Sequence, residues 1–222
     1  MKPVLYLLFC LFIPGAPVGV VNHLTNEKFN GKVKSIAESI YTTNDKGQVM
    51  KYQSVQKHSY SFSPKGYGTG ALGIIDQGAD EDGLTTTYKY DTAGRAIWSE
   101  MRSNADKQRE VMSIYRYNQD KQLIEKDDSI IPMSVRVITR YTYDASGNLD
   151  ESTESQANAA PVVTKYKYDE KGHLIERTHF GKPVEKVTYT YSDYDQQANW
   201  KKRVDLVNGK PANICLRAIV YY

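Results

Sequence analysis

Several stretches of this 222-residue sequence hold residue types that could do chemistry. Gly68-Thr69-Gly70-Ala71-Leu72-Gly73 has the spacing of a dinucleotide fingerprint, which cradles a pyrophosphate only where a strand feeds a helix N-terminus. Ile74-Ile75-Asp76-Gln77-Gly78 follows and offers no helix start, so Ser63 to Gly83 is expected to be a flexible Gly-rich loop. Asp76, Asp80, Glu81 and Asp82 supply oxygens of the kind calcium takes. They miss the EF-hand template, because Gly78 falls on the first ligand position when Gly83 takes the invariant glycine, and a solvated acidic loop is expected. His23, His58, His173 and His179 show no metal-binding spacing, and no Gly-x-Ser-x-Gly elbow is present. Glu125, Glu151 and Glu176 could in principle pair for glycoside cleavage, yet a carboxylate recurring in every repeat reads as architecture. No catalytic residue, metal or cofactor is therefore assigned. A secreted hydrolase acting on envelope polysaccharide stands as the alternative reading.

The remaining chemistry is aromatic. Tyr is present 18 times against 5 Phe and 2 Trp, an enrichment that favours strands. The tyrosines fall in a repeat: Tyr88-Lys89-Tyr90-Asp91-Thr92-Ala93-Gly94, Tyr115-Arg116-Tyr117-Asn118, Tyr141-Thr142-Tyr143-Asp144-Ala145-Ser146-Gly147, Tyr166-Lys167-Tyr168-Asp169-Glu170-Lys171-Gly172 and Tyr189-Thr190-Tyr191. Tyr90, Tyr117, Tyr143, Tyr168 and Tyr191 are separated by steps of 27, 26, 25 and 23 residues. Tyr60-Ser61-Phe62 reads as a degenerate earlier copy.

Each copy predicts a hairpin. Asp or Asn opens the turn by bonding its own backbone, and Gly three residues later accepts positive φ, as a type I turn closed by a G1 bulge requires. Lys121 and Ala198 stand where that Gly is missing. The incoming strand alternates, with Val135, Val137, Tyr141 and Tyr143 on one face and Arg136, Arg140 and Thr142 on the other. The outgoing strand carries Ala96, Leu123, Leu149 or Leu174, followed by Glu100, Glu125, Glu151 or Glu176 within reach of the basic stripe. Return turns are expected at Asn104–Lys107, Asp127–Ser129, Gln156–Ala159 and Gly181-Lys182. A longer loop is expected from Ser192 to Ala198, and a type I′ turn at Asn208-Gly209. Val33 to Tyr41 and Leu216 to Tyr222 read as the first and last strands, with Asp45-Lys46-Gly47 turning the first into the next. The fold class is all-β, an antiparallel hairpin-repeat array of about twelve strands, and its closure is left open.

This run of Tyr-x-Tyr-Asp-x-x-Gly-x-Leu units, over about Tyr88 to Lys202, resembles the YD-repeat family, the β-strand repeats of Rhs-type bacterial surface and toxin proteins and of teneurins. The resemblance implies a curved sheet of hairpins and a small, stand-alone secreted member. Some members of the family bind carbohydrate.

Lys2 precedes an apolar run from Val4 to Ile13, and Pro14, Gly15, Ala16 and Gly19 follow, so residues 1–19 are expected to be a secretory signal peptide cut near Gly19. Ten apolar residues are too short for a permanent transmembrane helix. Leu7, Leu8 and Phe9 before Cys10 do not make a lipobox, so lipoprotein anchoring has less support. Residues 20–222 form one domain in this reading, and after cleavage Cys215 has no partner for an internal disulfide. A balance of 29 basic to 26 acidic residues, net +3, argues against a nucleic-acid partner. The expected role is a non-enzymatic secreted or periplasmic cell-envelope module that binds carbohydrate or protein, or acts as a scaffold. The tyrosine face is expected to be core, and recognition is placed at the rim on Tyr67, Trp98 and Trp200.

Overall fold

The computed structural model describes residues 29–222 apart from 45, 51–54, 63–67, 77–80 and 93–94. The segment expected to be a signal peptide, Cys10, Tyr67, Asp80 and Gly94 lie outside the described residues. Fourteen strands follow one another: β1 (Val33–Thr42), β2 (Val55–Phe62), β3 (Gly68–Asp76), β4 (Glu81–Tyr90), β5 (Ala96–Ser103), β6 (Arg109–Tyr117) and β7 (Leu123–Ile130), then β8 (Val135–Tyr143), β9 (Leu149–Gln156), β10 (Val162–Tyr168), β11 (Leu174–His179), β12 (Glu185–Tyr194), β13 (Trp200–Val207) and β14 (Lys210–Tyr221). Every neighbouring pair is antiparallel, and β1 bonds both β14 and β2, so the meander closes into a barrel. No helix occurs among the described residues. The all-β antiparallel class expected from the sequence is what forms.

The repeat turns gather at one end of the barrel, called the foot here, and share one hydrogen-bond pattern. The amides of Gly147 and Gly172 donate to the carbonyls of Asp144 and Asp169, and Lys121 and Ala198 do the same to Asn118 and Asp195. The carboxylate of Asp144 accepts from the amides of Ser146 and Asn148, and Asp169 and Asp195 repeat the arrangement. Lys121 (φ 65°) and Ala198 (φ 61°) adopt the left-handed conformation that Gly147 (φ 79°) and Gly172 (φ 82°) adopt more easily. Tyr90 faces Ala96, Tyr117 faces Leu123, Tyr143 faces Leu149 and Tyr168 faces Leu174, each across a one-residue register shift, whereas Tyr194 faces Trp200 at the Asp195–Ala198 turn with no shift. Phe62 facing Gly68 across the same kind of shift shows that the Tyr60 copy shares the design.

Gly147→Val is expected to cost about 1–2 kcal/mol, because a β-branched side chain is forced to positive φ, whereas Lys121→Gly should be neutral or stabilising. Denaturant midpoints of the two variants check this; equal losses would refute the turn chemistry.

Three segments differ from expectation. Within the supposed Gly-rich loop, Gly68–Asp76 is strand β3, held on both sides by backbone pairing to β2 and β4. Its glycines, Gly68, Gly70 and Gly73, break up the side-chain alternation that would mark a strand, and Gly73 stands opposite His58. Asp127–Ser129 is not a turn: β7 continues to Ile130, and the chain reverses at Ile131–Ser134. Both acids are partnered in place, Asp127 by two bonds from Arg136 and Asp128 by the Lys126 ammonium and a hydrogen bond from the Ser113 hydroxyl. The loop from Ser192 is also shorter than expected. β12 runs to Tyr194, which faces Trp200, and the turn proper is Asp195 to Ala198. The type I′ expectation holds, with Asn208 at φ 49° and Gly209 at φ 81°.

Candidate functional site

Alternation divides every hairpin into an inner and an outer set, and the inner set begins with the tyrosines. Tyr60, Tyr115 and Tyr189 are buried, and Tyr88, Tyr90, Tyr117 and Tyr141 pack on the cluster of Ala96, Tyr115 and Leu123. The second tyrosine of a repeat reaches back to the outgoing strand of the preceding one. Tyr117 donates to the Ala96 carbonyl, Tyr143 to that of Leu123 and Tyr191 to that of Leu174, each at 2.7–2.8 Å. These bonds tie neighbouring repeats. Tyr168 departs from the pattern, since its buried hydroxyl finds no protein partner. The first tyrosines sit one layer further in, where Tyr115 bonds Ser99 and Tyr166 bonds Ser152. Burial raises the phenols of Tyr88, Tyr115 and Tyr141 and pushes Tyr143 up to about 12.

A second inner feature lies where the barrel closes. Glu38 on β1 stands opposite Arg217 on β14 and opposite His58 on β2, and Arg217 donates to the Glu38 carboxylate from Nε at 2.9 Å and a terminal nitrogen at 2.6 Å. On β13, Arg203 pairs with Asp205 at 2.6 and 3.1 Å. Burial lowers the His58 imidazole below its ordinary value, against the pull of Glu38, and pushes the Cys215 thiol up to about 12. Cys215 is thus held as a neutral thiol, without the thiolate character that reactivity needs.

Trp200 belongs to this interior. It is 3% exposed, with the Arg217 guanidinium 3.4 Å from its ring centroid and Tyr191 tilted against it at 5.3 Å. The expectation of a rim residue is therefore corrected for Trp200. Its position was readable, because it stands two residues after Ala198, the place that Leu123, Leu149 and Leu174 fill in other repeats. Trp98 stands two residues further along its strand and faces outward.

The outer face carries a belt of ion pairs. Arg116 and Arg140 share Glu125, Lys165 meets Glu151, and Lys167 and Lys186 share Glu176 at 2.9 and 2.7 Å. Arg102 and Arg109 cover Glu100. The carboxylates that recur along the repeats are therefore neutralised by the basic stripe. Trp98 interrupts this belt: Lys89 lies opposite it with Nζ 4.6 Å from the ring centroid, and on the other side Trp98 faces Ile114. Ile114, Ile97 and Ile124 are exposed large apolar residues. Trp98 with Ile97 and Ile114 makes an apolar outer patch, to which sequence reasoning contributed the tryptophan and not its neighbours. Among the described residues no cluster of three or more His, Cys, Asp or Glu could hold a metal ion.

The molecule is thus a closed antiparallel β-barrel with a tyrosine-rich interior. No protein-family profile matches the chain, and no curated protein matches it. Among solved structures it is similar to a porin-like protein from Bacteroides uniformis, with a TM-score of 0.53 and 12% identity over 86% of this chain and 99% of the other. It also matches the Photorhabdus luminescens Tc holotoxin pore at a TM-score of 0.32 and 17% identity, covering 79% of this chain and 9% of that one. The first likeness is one of fold.

Proposed function

We propose that this protein is a non-enzymatic β-repeat module of the cell envelope, exported by its N-terminal segment, which recognises a partner through the outer patch at Trp98. The YD-repeat relationship suggested by the sequence belongs to this proposal. It is supported by four turns of one hydrogen-bond pattern and five register shifts of one kind. The observation that carries the reading is Trp98 beside exposed Ile97 and Ile114 on a face that also carries a belt of ion pairs, since aromatic and aliphatic groups on a rigid scaffold are how recognition anchors are built. Lys89 over one face of the ring and the aliphatic flanks favour a protein partner over a stacked sugar, and carbohydrate is the other outcome of the test.

The charged belt also bears on placement. A barrel crossing a bilayer turns an apolar band outward, whereas Arg116, Arg140, Lys165 and Lys167 stand on the outer face here. Inner carboxylates are paired, Glu38 to Arg217, Asp128 to Lys126 and Asp205 to Arg203, which supports a structural role for them over an acid and base pair.

Trp98→Ala is expected to weaken capture of an envelope partner, or binding on a glycan array, by at least ~10-fold while leaving the melting temperature unchanged, as truncating an interface anchor does. Unaltered binding by this variant would refute the site. Binding confined to the array would assign the patch to carbohydrate.

A further inference from the structure

At the end of the barrel opposite the repeat turns, here the head, three consecutive turns form one apolar edge. They join β7 to β8, β9 to β10 and β11 to β12, and these six strands are direct neighbours. The first tip shows Ile131, Pro132 and Met133 to solvent, the second Ala157, Ala159, Ala160 and Pro161, and the third Phe180, Pro183 and Val184. Phe180 is 48% exposed and Val184 54%. Residues 131–134, 157–161 and 180–184 hold a single charge, Lys182. Turn tips ordinarily carry polar residues, so a run of apolar ones across three turns marks an interaction surface.

The charges just below the edge identify what it meets. Arg136, Lys165 and Lys186 follow the three tips on the outer face, each with a side chain at least half exposed. Their partners Asp127, Glu151 and Glu176 lie deeper. The edge therefore shows solvent a basic fringe with its negative groups underneath. Separate protruding tips, apolar at the point and basic behind, suit a fluid surface that each can enter, and the positive fringe complements anionic headgroups.

We propose that this edge docks onto the surface of an anionic lipid bilayer, with Ile131, Met133, Phe180 and Val184 entering the headgroup boundary. The barrel then stands on the membrane by its head and does not cross it, and the Trp98 patch remains on the flank.

Cosedimentation of the mature protein with vesicles of phosphatidylcholine, alone or mixed with phosphatidylglycerol, tests the proposal. The protein should pellet with the mixed vesicles more than with the neutral ones. Phe180→Ser combined with Val184→Ser should lower partitioning by about tenfold or more, since two large apolar groups leave the membrane contact. Lys182→Glu should weaken binding to the mixed vesicles and leave the smaller neutral binding unchanged. Circular dichroism and melting temperature should not move in either variant, because the substituted side chains are exposed. Failure of the unaltered protein to pellet, or equal partitioning by the double variant, would overturn the proposal. A vesicle-independent oligomer that the double variant dissociates in sedimentation velocity would overturn it too, assigning the edge to a second copy of the chain.

Discussion

Arg217→Met is expected to destabilise the barrel by about 3–5 kcal/mol, because it leaves the Glu38 carboxylate buried without its cation. Arg217 and Glu38 are both almost wholly buried, and Glu38 accepts two bonds from the guanidinium. The same guanidinium lies over Trp200 and within 5.0 Å of the Phe29 ring, so its loss also removes packing from both aromatics. The double variant Arg217→Met with Glu38→Leu separates the causes. Replacing both charges by apolar groups of similar volume should recover most of the loss, as an ion pair exchanged for packing often does. Denaturant unfolding of the single and double variants checks this, and equal destabilisation of both would show that the charge pairing is not what matters there.

Alkaline pH should unfold the protein abruptly. The phenols of Tyr88, Tyr115, Tyr117, Tyr141 and Tyr168 are all raised above the ordinary value of 10.0, in each case chiefly by burial. Tyr143 and Tyr221 are raised to about 12. A raised phenol pKa means that the unfolded chain releases its proton first. The stability these groups provide is complete below pH 10 and is lost as pH climbs from there toward the folded-state values. Several such groups act together, so tyrosinate absorbance should rise in one step that coincides with loss of the β-sheet signal in circular dichroism. A gradual tyrosine titration centred near pH 10, with the sheet signal intact, would show that the rings are solvated and refute the buried-face assignment.

The hairpins were legible because their information is local. An Asp or Asn that caps its own turn, a residue at positive φ three places later and an apolar residue two places after that recur within a dozen residues, and the structure uses each as expected. Even the imperfect copies hold: Lys121 and Ala198 accept the left-handed conformation because the surrounding bonds, donated by the Gln122 and Asn199 amides to the side chains of Asn118 and Asp195, impose it. What the sequence hid is either featureless or distant. β3 has glycines where alternation would show, and its partners alone define it. Asp127 and Asp128 resemble a turn until Arg136 and Lys126 are placed beside them. The pairing of β1 with β14 depends on residues at opposite ends of the chain, and no motif announces it. The two tryptophans illustrate both cases, since the repeat pattern itself places Trp200 inside, while the patch around Trp98 needed Ile114 from the next strand.

The seam between β1 and β14 also carries a consequence for how the molecule is made. Each repeat hairpin pairs residues close in sequence and can form as soon as it is synthesised, whereas Glu38 must wait 179 residues for Arg217. Closure is then the late, high-contact-order event, the kind that sets folding rate because loop entropy is spent before the pairing rewards it. Until β14 arrives, β1 presents an open edge and an unneutralised carboxylate on its inner face, the polar group discouraging premature burial against another chain. A circular permutant opened at the Asn208-Gly209 turn, with Tyr222 joined to the residues just before β1, would make the β1–β14 pairing local and pass the long-range closure to β13 and β14, so the Glu38–Arg217 pair should form early while closure of the barrel stays late.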